Sequence, residues 1–388
     1  MTLLDSAGAR LDSMIADAKE LIECESPSED PRAIALSADL TDAVIGARLA
    51  EAGLAAASER LVIDGVPHLR WSLGTGPRRV LLICHHDTVW PLGTLARIPF
   101  SVRDGVLRGP GCFDMIVGTV QAVHAVAMLA QAGGPEAVDG VTLLVTGDEE
   151  IGSLTSRTLI EEEAARHEAA LVFEASAGAQ GALKTARKGV SWYEVEAVGR
   201  ASHSGLDPEK GVNAGIELSH QILALESIAD AAAGTTVTPT RATIGTTGNT
   251  VPANARVNVD VRCRTVAEQD RVDAALRRLE PVLDGARIVL HGEVNRRPLE
   301  RESALPLYER AARLAPEAGI DALEEIAVGG ASDGNFAAGV GCPTLDGLGA
   351  VGGGAHAEDE HVVLAHVPHR TALASLLIRD LLAEGGRR

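Results

Sequence analysis

Three apolar runs of strand length each end in a histidine or a carboxylate, and nothing else in the chain limits its fold as strongly. Val80-Leu81-Leu82-Ile83-Cys84 is followed directly by His85-His86-Asp87-Thr88-Val89. Val141 to Thr146 leads to Asp148-Glu149-Glu150, and Ala169 to Phe173 leads to Glu174. Runs without a polar face belong in the middle of a sheet covered on both sides. Ionising groups at the mouths of such strands are costly unless something cationic collects them. Histidine and carboxylate are the ligand types that suit a zinc-like hydrolytic metal. Gly109-Pro110-Gly111 leading to Asp114, and His356 in a glycine-rich loop, extend the same set.

Helical patterns separate the runs, at Ile116 to Leu129 and Leu154 to Ala165. Two more, near Leu11 to Ile22 and Ile34 to Ala52, precede the sheet. The alternation predicts an α/β/α sandwich, whose sites form beyond the carboxyl ends of its strands. The middle of the chain changes character. Ser191 to Val198 alternates, a helix follows from Val212 to Ile228, strands at Arg241 to Thr246 and Arg256 to Arg262, a helix from Val266 to Leu283 and a strand from Arg287 to His291. This βαββαβ order is that of a ferredoxin-like α+β domain. The expected division is 1–187 for the first part of a catalytic domain, 188–293 for an inserted domain and 294–388 for the second part. That last part carries a helix near Leu305 to Leu314, a strand near Ile326 to Val328 and a helix from Val367 to Glu384. A chain of 388 residues fits about two cores.

The formal net charge of −19, with no basic patch, excludes a protein that tracks a phosphate backbone, so no nucleic-acid partner is expected. Five scattered cysteines without a CxxC pair argue for a reducing compartment, taken as the cytoplasm. Met1 to Glu20 carries Asp5, Asp12 and Asp17 without an apolar run and does not read as a signal peptide. No stretch reads as long and apolar enough to span a membrane.

Residues two apart at an extended strand end share a side, so His85 and Asp87 point together and His86 points away. Asp87 can orient His85 or a neighbouring ligand. Glu149 and Glu150 must split their roles, one binding metal and the other taking a proton from water. Asp114, between a tight turn and a helix, suits a carboxylate bridging two metals at about 3.5–4 Å. Each residue alone has an ordinary explanation. Asp114 caps a helix, Glu149-Glu150 is a solvated helix start, His356 and His203 are loop histidines, and Arg262 is a strand-face ion pair.

Eight segments in one order decide otherwise. They are His85-His86-Asp87-Thr88-Val89, Gly109-Pro110-Gly111-Cys112-Phe113-Asp114, Asp148-Glu149-Glu150-Ile151-Gly152-Ser153, Phe173-Glu174, Gly199-Arg200-Ala201-Ser202-His203-Ser204-Gly205, Gly211-Val212-Asn213-Ala214, Gly248-Asn249-Thr250-Val251-Pro252 and Gly329-Gly330-Ala331-Ser332-Asp333. Together they resemble the M20 metallopeptidases, most closely the glutamate carboxypeptidase (carboxypeptidase G2-like) branch, over nearly the whole chain. The resemblance implies two Zn2+ ions, or Co2+ or Mn2+. His85 and Glu174 would hold one and Glu150 and His356 the other, with Asp114 bridging. Glu149 would be the general base and Asp87 its neighbour's support. His203 would polarise the scissile carbonyl in the neighbouring subunit. Asn249, Arg262 and the Gly330–Ser332 turn would meet a substrate carboxylate. The inserted domain would make a homodimer and close over the substrate. One position departs from the family pattern. Ile116 stands where a lysine usually follows the bridging aspartate, which alters the charge around the centre or the choice of substrate.

The implied reaction is hydrolysis of an amide next to a free C-terminal carboxylate, with a small N-acyl amino acid or peptide as substrate. Release of glutamate from an N-acyl-glutamate or folate-like compound is the first expectation. A dipeptidase, an aminoacylase or an acetylornithine/succinyl-diaminopimelate-type deacylase is the alternative. A non-catalytic peptide-binding relative and a dimeric scaffold are more remote, since Glu149 and all five implied ligands are present.

Overall fold

The computed structural model describes residues 1–384, and within it the chain divides into two compact units. The larger contains Met1–Ala186, Arg301–Ala327 and the chain from Ser332 onward. The smaller contains Arg187–Glu300 and Val328–Ala331. The divisions fall at 186/187 and 300/301 instead of 187/188 and 293/294. One reason is that the last strand of the smaller unit runs on to Arg296.

The larger unit is built on a six-stranded sheet. Its order is Glu59–Ile63, Val66–Ser72, Val141–Thr146, Val80–His85, Ala169–Val172, Thr344–Leu345. The three apolar runs are its parallel centre, and every residue of those strands is buried, as an all-apolar strand requires. Register then fixes the site. His85 pairs with Thr146 and Ile83 with Val172, so the loops that begin at His86, Gly147 and Phe173 leave the sheet side by side. The hairpin of Glu59–Ile63 and Val66–Ser72 is a finding of the structure, added antiparallel to the central strands.

A second, four-stranded sheet in the larger unit also went unforeseen. It orders Gly352–Gly353, His361–Val363, Val106–Arg108 and Ser101–Arg103. His361 pairs with Arg108, which sets the turn carrying Asp114 beside the loop carrying His356. These strands have two or three residues each, too short to show a period in sequence.

The helix Val117–Gly133 is buried along almost its whole length against the last helix, Val367–Glu384. With the turn before it, Cys112–Gly133 has the length and apolarity of a membrane span, which corrects the expectation that no stretch does. The segment is 94% buried, so it is a core helix. Its start needs glycine. A Cβ on Gly118 would lie 2.0 Å from the Phe173 carbonyl oxygen, so only a hydrogen lets the helix approach the strand end before Glu174.

The smaller unit has the antiparallel sheet order Thr236–Ile244, Asn254–Cys263, Gly189–Val198, Arg287–Arg296, with helices Ala214–Glu226 and Val266–Leu276. This is the ferredoxin-like arrangement. One sheet face, including Val195, Ala197, Val257, Val259 and Val261, packs against Leu218, Leu225, Val272 and Leu276 of the helices. Two expectations are corrected. The second helix ends at Leu276 and does not reach Leu283, because Pro281 has no N–H and disfavours helical backbone before it. The strand expected from Arg241 begins at Thr236. Pro239 is tolerated there because this strand is the sheet edge and its register shifts between Pro239 and Arg241.

Candidate metal centre

His85 is buried and its orientation is fixed. Its Nδ1 lies 2.9 Å from the backbone oxygen of Asp87. A carbonyl only accepts, so in the neutral ring Nδ1 keeps the proton and Nε2 presents its lone pair. That Nε2 is buried without a hydrogen-bond partner and lies 3.4 Å from an oxygen of Asp114 and 3.5 Å from one of Glu174. His86 points the other way, to the Ser37 hydroxyl and the Pro67 carbonyl.

Asp114 reaches two histidines with its two oxygens. Oδ1 is 3.4 Å from His85 Nε2 and Oδ2 is 3.4 Å from His356 Nε2. His356 also lies 3.2 Å from Glu150. The acidic pair divides. Ligand atoms of Glu149 gather with His85 and Glu174, and those of Glu150 with His85 and Asp114, each group within 4.8 Å.

The turn that presents this pair is held from below. Asp87 accepts the backbone N–H groups of Glu149 (3.2 Å) and Glu150 (3.1 Å) and the hydroxyl of Ser28 (2.6 Å). Its carboxylate therefore braces the glutamate turn while its carbonyl orients His85. Asp148 faces inward, accepting from the backbone and hydroxyl of Thr155 and the hydroxyl of Ser156.

The charges show what the site lacks. Burial pushes His85 down, but Asp114, Asp87 and Glu174 outweigh it and hold the ring well above the ordinary imidazole value. Burial pushes Asp114 up, but His356 and His85 hold it well below the usual carboxylate range. Glu150 is pushed up to about 7 by burial and by the charge of Asp114, against the pull of His356. Hydrogen bonds to Asp114 and Glu150 push His356 up to about 10. Protons thus occupy a pocket of acceptors. The unpartnered His85 Nε2 is joined by a buried, unpartnered Glu150 oxygen. Nitrogen and oxygen donors converging with unsatisfied atoms fit divalent metal of the zinc type.

The remaining candidates lie elsewhere in the chain. His203 and Asn249 come together in the smaller unit, where the Ser202–His203 and Thr250–Val251 strands pair and the Ser204 N–H donates to the Asn249 carbonyl. Both are exposed. Arg262 is engaged by Asp260 through two bonds of 2.8 and 2.9 Å, the ordinary strand-face pair. Gly330 accepts from Arg187. Ser332 is buried in the larger unit, donating its N–H to Asn335 and its hydroxyl to Asp346, so neither donor is left for a substrate. Ile116 is buried in the packing behind His85, beside Leu21, Ser37, Thr41 and Thr119.

One residue of the site was passed over in sequence. Glu360 is buried among the backbone donors of the Asp114 turn. A lone glutamate between Asp359 and His361 gives no sign of this. The only hint is its place four residues after His356.

The family model for peptidase family M20/M25/M40 matches residues 81–380. The chain is 35% identical to carboxypeptidase G2 of Pseudomonas sp. (strain RS-16) over 319 residues, 79% of this chain and 75% of that one. It is 29% identical to succinyl-diaminopimelate desuccinylase of Dinoroseobacter shibae over 405 residues, covering 95% and 99%. Among solved structures it is similar to the aminopeptidase PepT of Bacillus cereus, with a TM-score of 0.73 at 20% identity over 96% of this chain and 98% of that one. It is also similar to an M20 family metallo-carboxypeptidase of Sulfolobus solfataricus, with a TM-score of 0.70 at 14% identity, covering 96% and 99%. With motif order, fold and site geometry in agreement, the chain belongs to the M20/M25/M40 peptidase family and is a metal-dependent hydrolase of that family.

Proposed function

We propose that the chain is a two-metal amidohydrolase that releases a C-terminal amino acid, glutamate in the first instance, from an N-acyl-glutamate or folate-like substrate. The observation that carries this is Asp114, one oxygen 3.4 Å from His85 and the other 3.4 Å from His356, the stance of a bridging carboxylate. Two ions of zinc, cobalt or manganese, held by His85 and Glu174, by Glu150 and His356, and between them by Asp114, would supply Lewis acidity and a water acidified towards neutrality. Glu149 takes the proton of the attacking water on a carboxylate oxygen and returns it to the nitrogen of the leaving amine. Its backbone is held by Asp87, so its side chain is aimed before substrate arrives.

His203 donates to the scissile carbonyl oxygen. Its Nδ1 accepts the N–H groups of Gly205 and Leu206, both at 3.1 Å, which leaves Nε2 to carry the proton. In this reading His203 serves the centre of a second copy. A dimer is supported by the free outer edge of the Thr236–Ile244 strand and by exposed Ile216, Leu223 and Ile244. Asn249 and the turn at Gly330 meet the substrate carboxylate. Ser332 drops out of that role because both its donors are engaged, whereas Arg262, which meets Asp260 through Nε and Nη2, keeps Nη1 for it. Five free cysteines support a reducing compartment, the cytoplasm.

Glutamate release rests on the similarity to carboxypeptidase G2. Similarity to the desuccinylase over nearly the whole chain favours a deacylase as the second reading. The test is amino-acid release from a panel of N-acyl amino acids, dipeptides and folates by zinc-loaded protein, with a chelator control. Chelator-sensitive release of glutamate is expected. Release of another amino acid keeps the reaction and discards glutamate. No release despite bound zinc sinks the hydrolytic reading for these substrate classes.

A further inference from the structure

We propose that Glu360 is the positioning residue that locks the bridging carboxylate to the loop of the second metal's histidine, an inference that rests on the two-metal reading. Glu360 is 1% exposed. Its Oε1 accepts the backbone N–H groups of Phe113 (2.9 Å) and Asp114 (3.1 Å). Its Oε2 accepts the N–H of Gly111 (2.9 Å) and the indole N–H of Trp90 (2.8 Å). Four donors fill one carboxylate without a cation among them.

The donors come from two segments and the acceptor from a third. Trp90 follows the Val80–His85 strand and its His85–Asp87 end. Gly111, Phe113 and Asp114 form the turn of the bridge. Glu360 closes the loop that carries His356. One side chain therefore fastens three ligand-bearing segments together, holding the Asp114 turn by its backbone and the segment after His85 by the Trp90 indole. The fastening matters most for His356, whose side chain is 49% exposed and so is not held by packing. Its placement comes from the loop backbone, two successive turns closed by Ala357 N–H to Gly354 and Glu360 N–H to Ala357. Moving Glu360 moves that loop relative to Asp114, which would be common to both metals.

Glutamine is the informative substitution. It keeps the volume, but its NH2 group would face N–H donors that need an acceptor. Metal-stripped protein is titrated with Co2+, followed by its visible absorption, with Zn2+ as competitor, for wild type, Glu360→Gln and Trp90→Phe. The wild type is expected to take two ions. Glu360→Gln is expected to weaken at least one by about 10- to 100-fold and to alter the cobalt spectrum. Trp90→Phe leaves the three backbone donors in place and should shift affinity less. Glu360→Gln with wild-type affinities and spectrum overturns the role of Glu360 alone. A wild type that binds no ion overturns the two-metal reading. Should Glu360→Gln fail to fold, hydrogen exchange in metal-free wild type decides. Protected amides at Gly111, Phe113 and Asp114 support the lock, and free exchange there overturns it.

Discussion

The candidate residues of the larger unit and those of the smaller unit are held in different ways. In the larger unit the segments that carry the candidates are tied by buried groups. His85 is clamped by a carbonyl, the Glu149-Glu150 turn hangs on Asp87, and the Asp114 turn hangs on Glu360. In the smaller unit His203 sits on an exposed two-residue ladder and Asn249 just before its partner strand, held through neighbouring backbone. Rigid support suits groups that must hold metal and aim a base. Light support suits groups that must let substrate in and out. The two regions should therefore fail differently when altered.

The largest effect separates chemistry from binding. Glu149→Gln should lower kcat by about 10²- to 10⁴-fold while bound metal stays at the wild-type level. Parallel assays of turnover and metal content check it, and lost metal would move Glu149 among the ligands. Next, His203→Ala should lower kcat/KM by about 10²- to 10³-fold with metal affinity untouched. A drop in metal affinity in that variant would erase the distinction between the units. Asp87→Asn should act the opposite way, weakening metal binding by about 10- to 100-fold, because an amide cannot accept both backbone N–H groups as a carboxylate does. A metal titration with wild-type midpoints would show the brace to be dispensable.

The smallest effect is on stability. In metal-free protein Glu150 rises from 4.5 to about 7 and His356 from 6.5 to about 10. For both groups the folded pKa lies above the unfolded one. Their favourable contribution is therefore complete below the unfolded value and is lost as pH rises through the folded one. Metal-free stability should fall from about pH 4.5 to 10, while bound ions replace the protons. The difference in Tm between metal-loaded and stripped protein should widen as pH rises, and a constant difference across melts at several pH values would contradict it.

Much of this was legible in sequence because the central strands advertise themselves. An unbroken Val-Leu-Leu-Ile-Cys run can only be interior, so the histidine after it must sit at the carboxyl end of a central strand. The small unit was legible for the same reason, through the period-two alternation of its long strands. What was hidden is what short elements do. The three-residue ladder of Val106–Arg108 with His361–Val363 brings Asp114 to His356, yet it has no period to read. Glu360 and the engagement of the Ser332 hydroxyl by Asp346 were hidden too, because a hydrogen-bond partner distant in sequence leaves no local mark.

The larger unit is assembled from chain on both sides of the smaller one, and this has a consequence for synthesis. A nascent chain that has emerged through Glu174 carries four of the five proposed ligands but neither the edge strand Thr344–Leu345 nor the His356 loop. Until those follow, the acidic turns lie open beside an unfinished sheet, with no second histidine to balance them. The smaller unit, whose core is nearly all continuous chain, is free to fold first. In the two-metal reading, metal loading is therefore expected late in the life of the polypeptide, once His356 has been added.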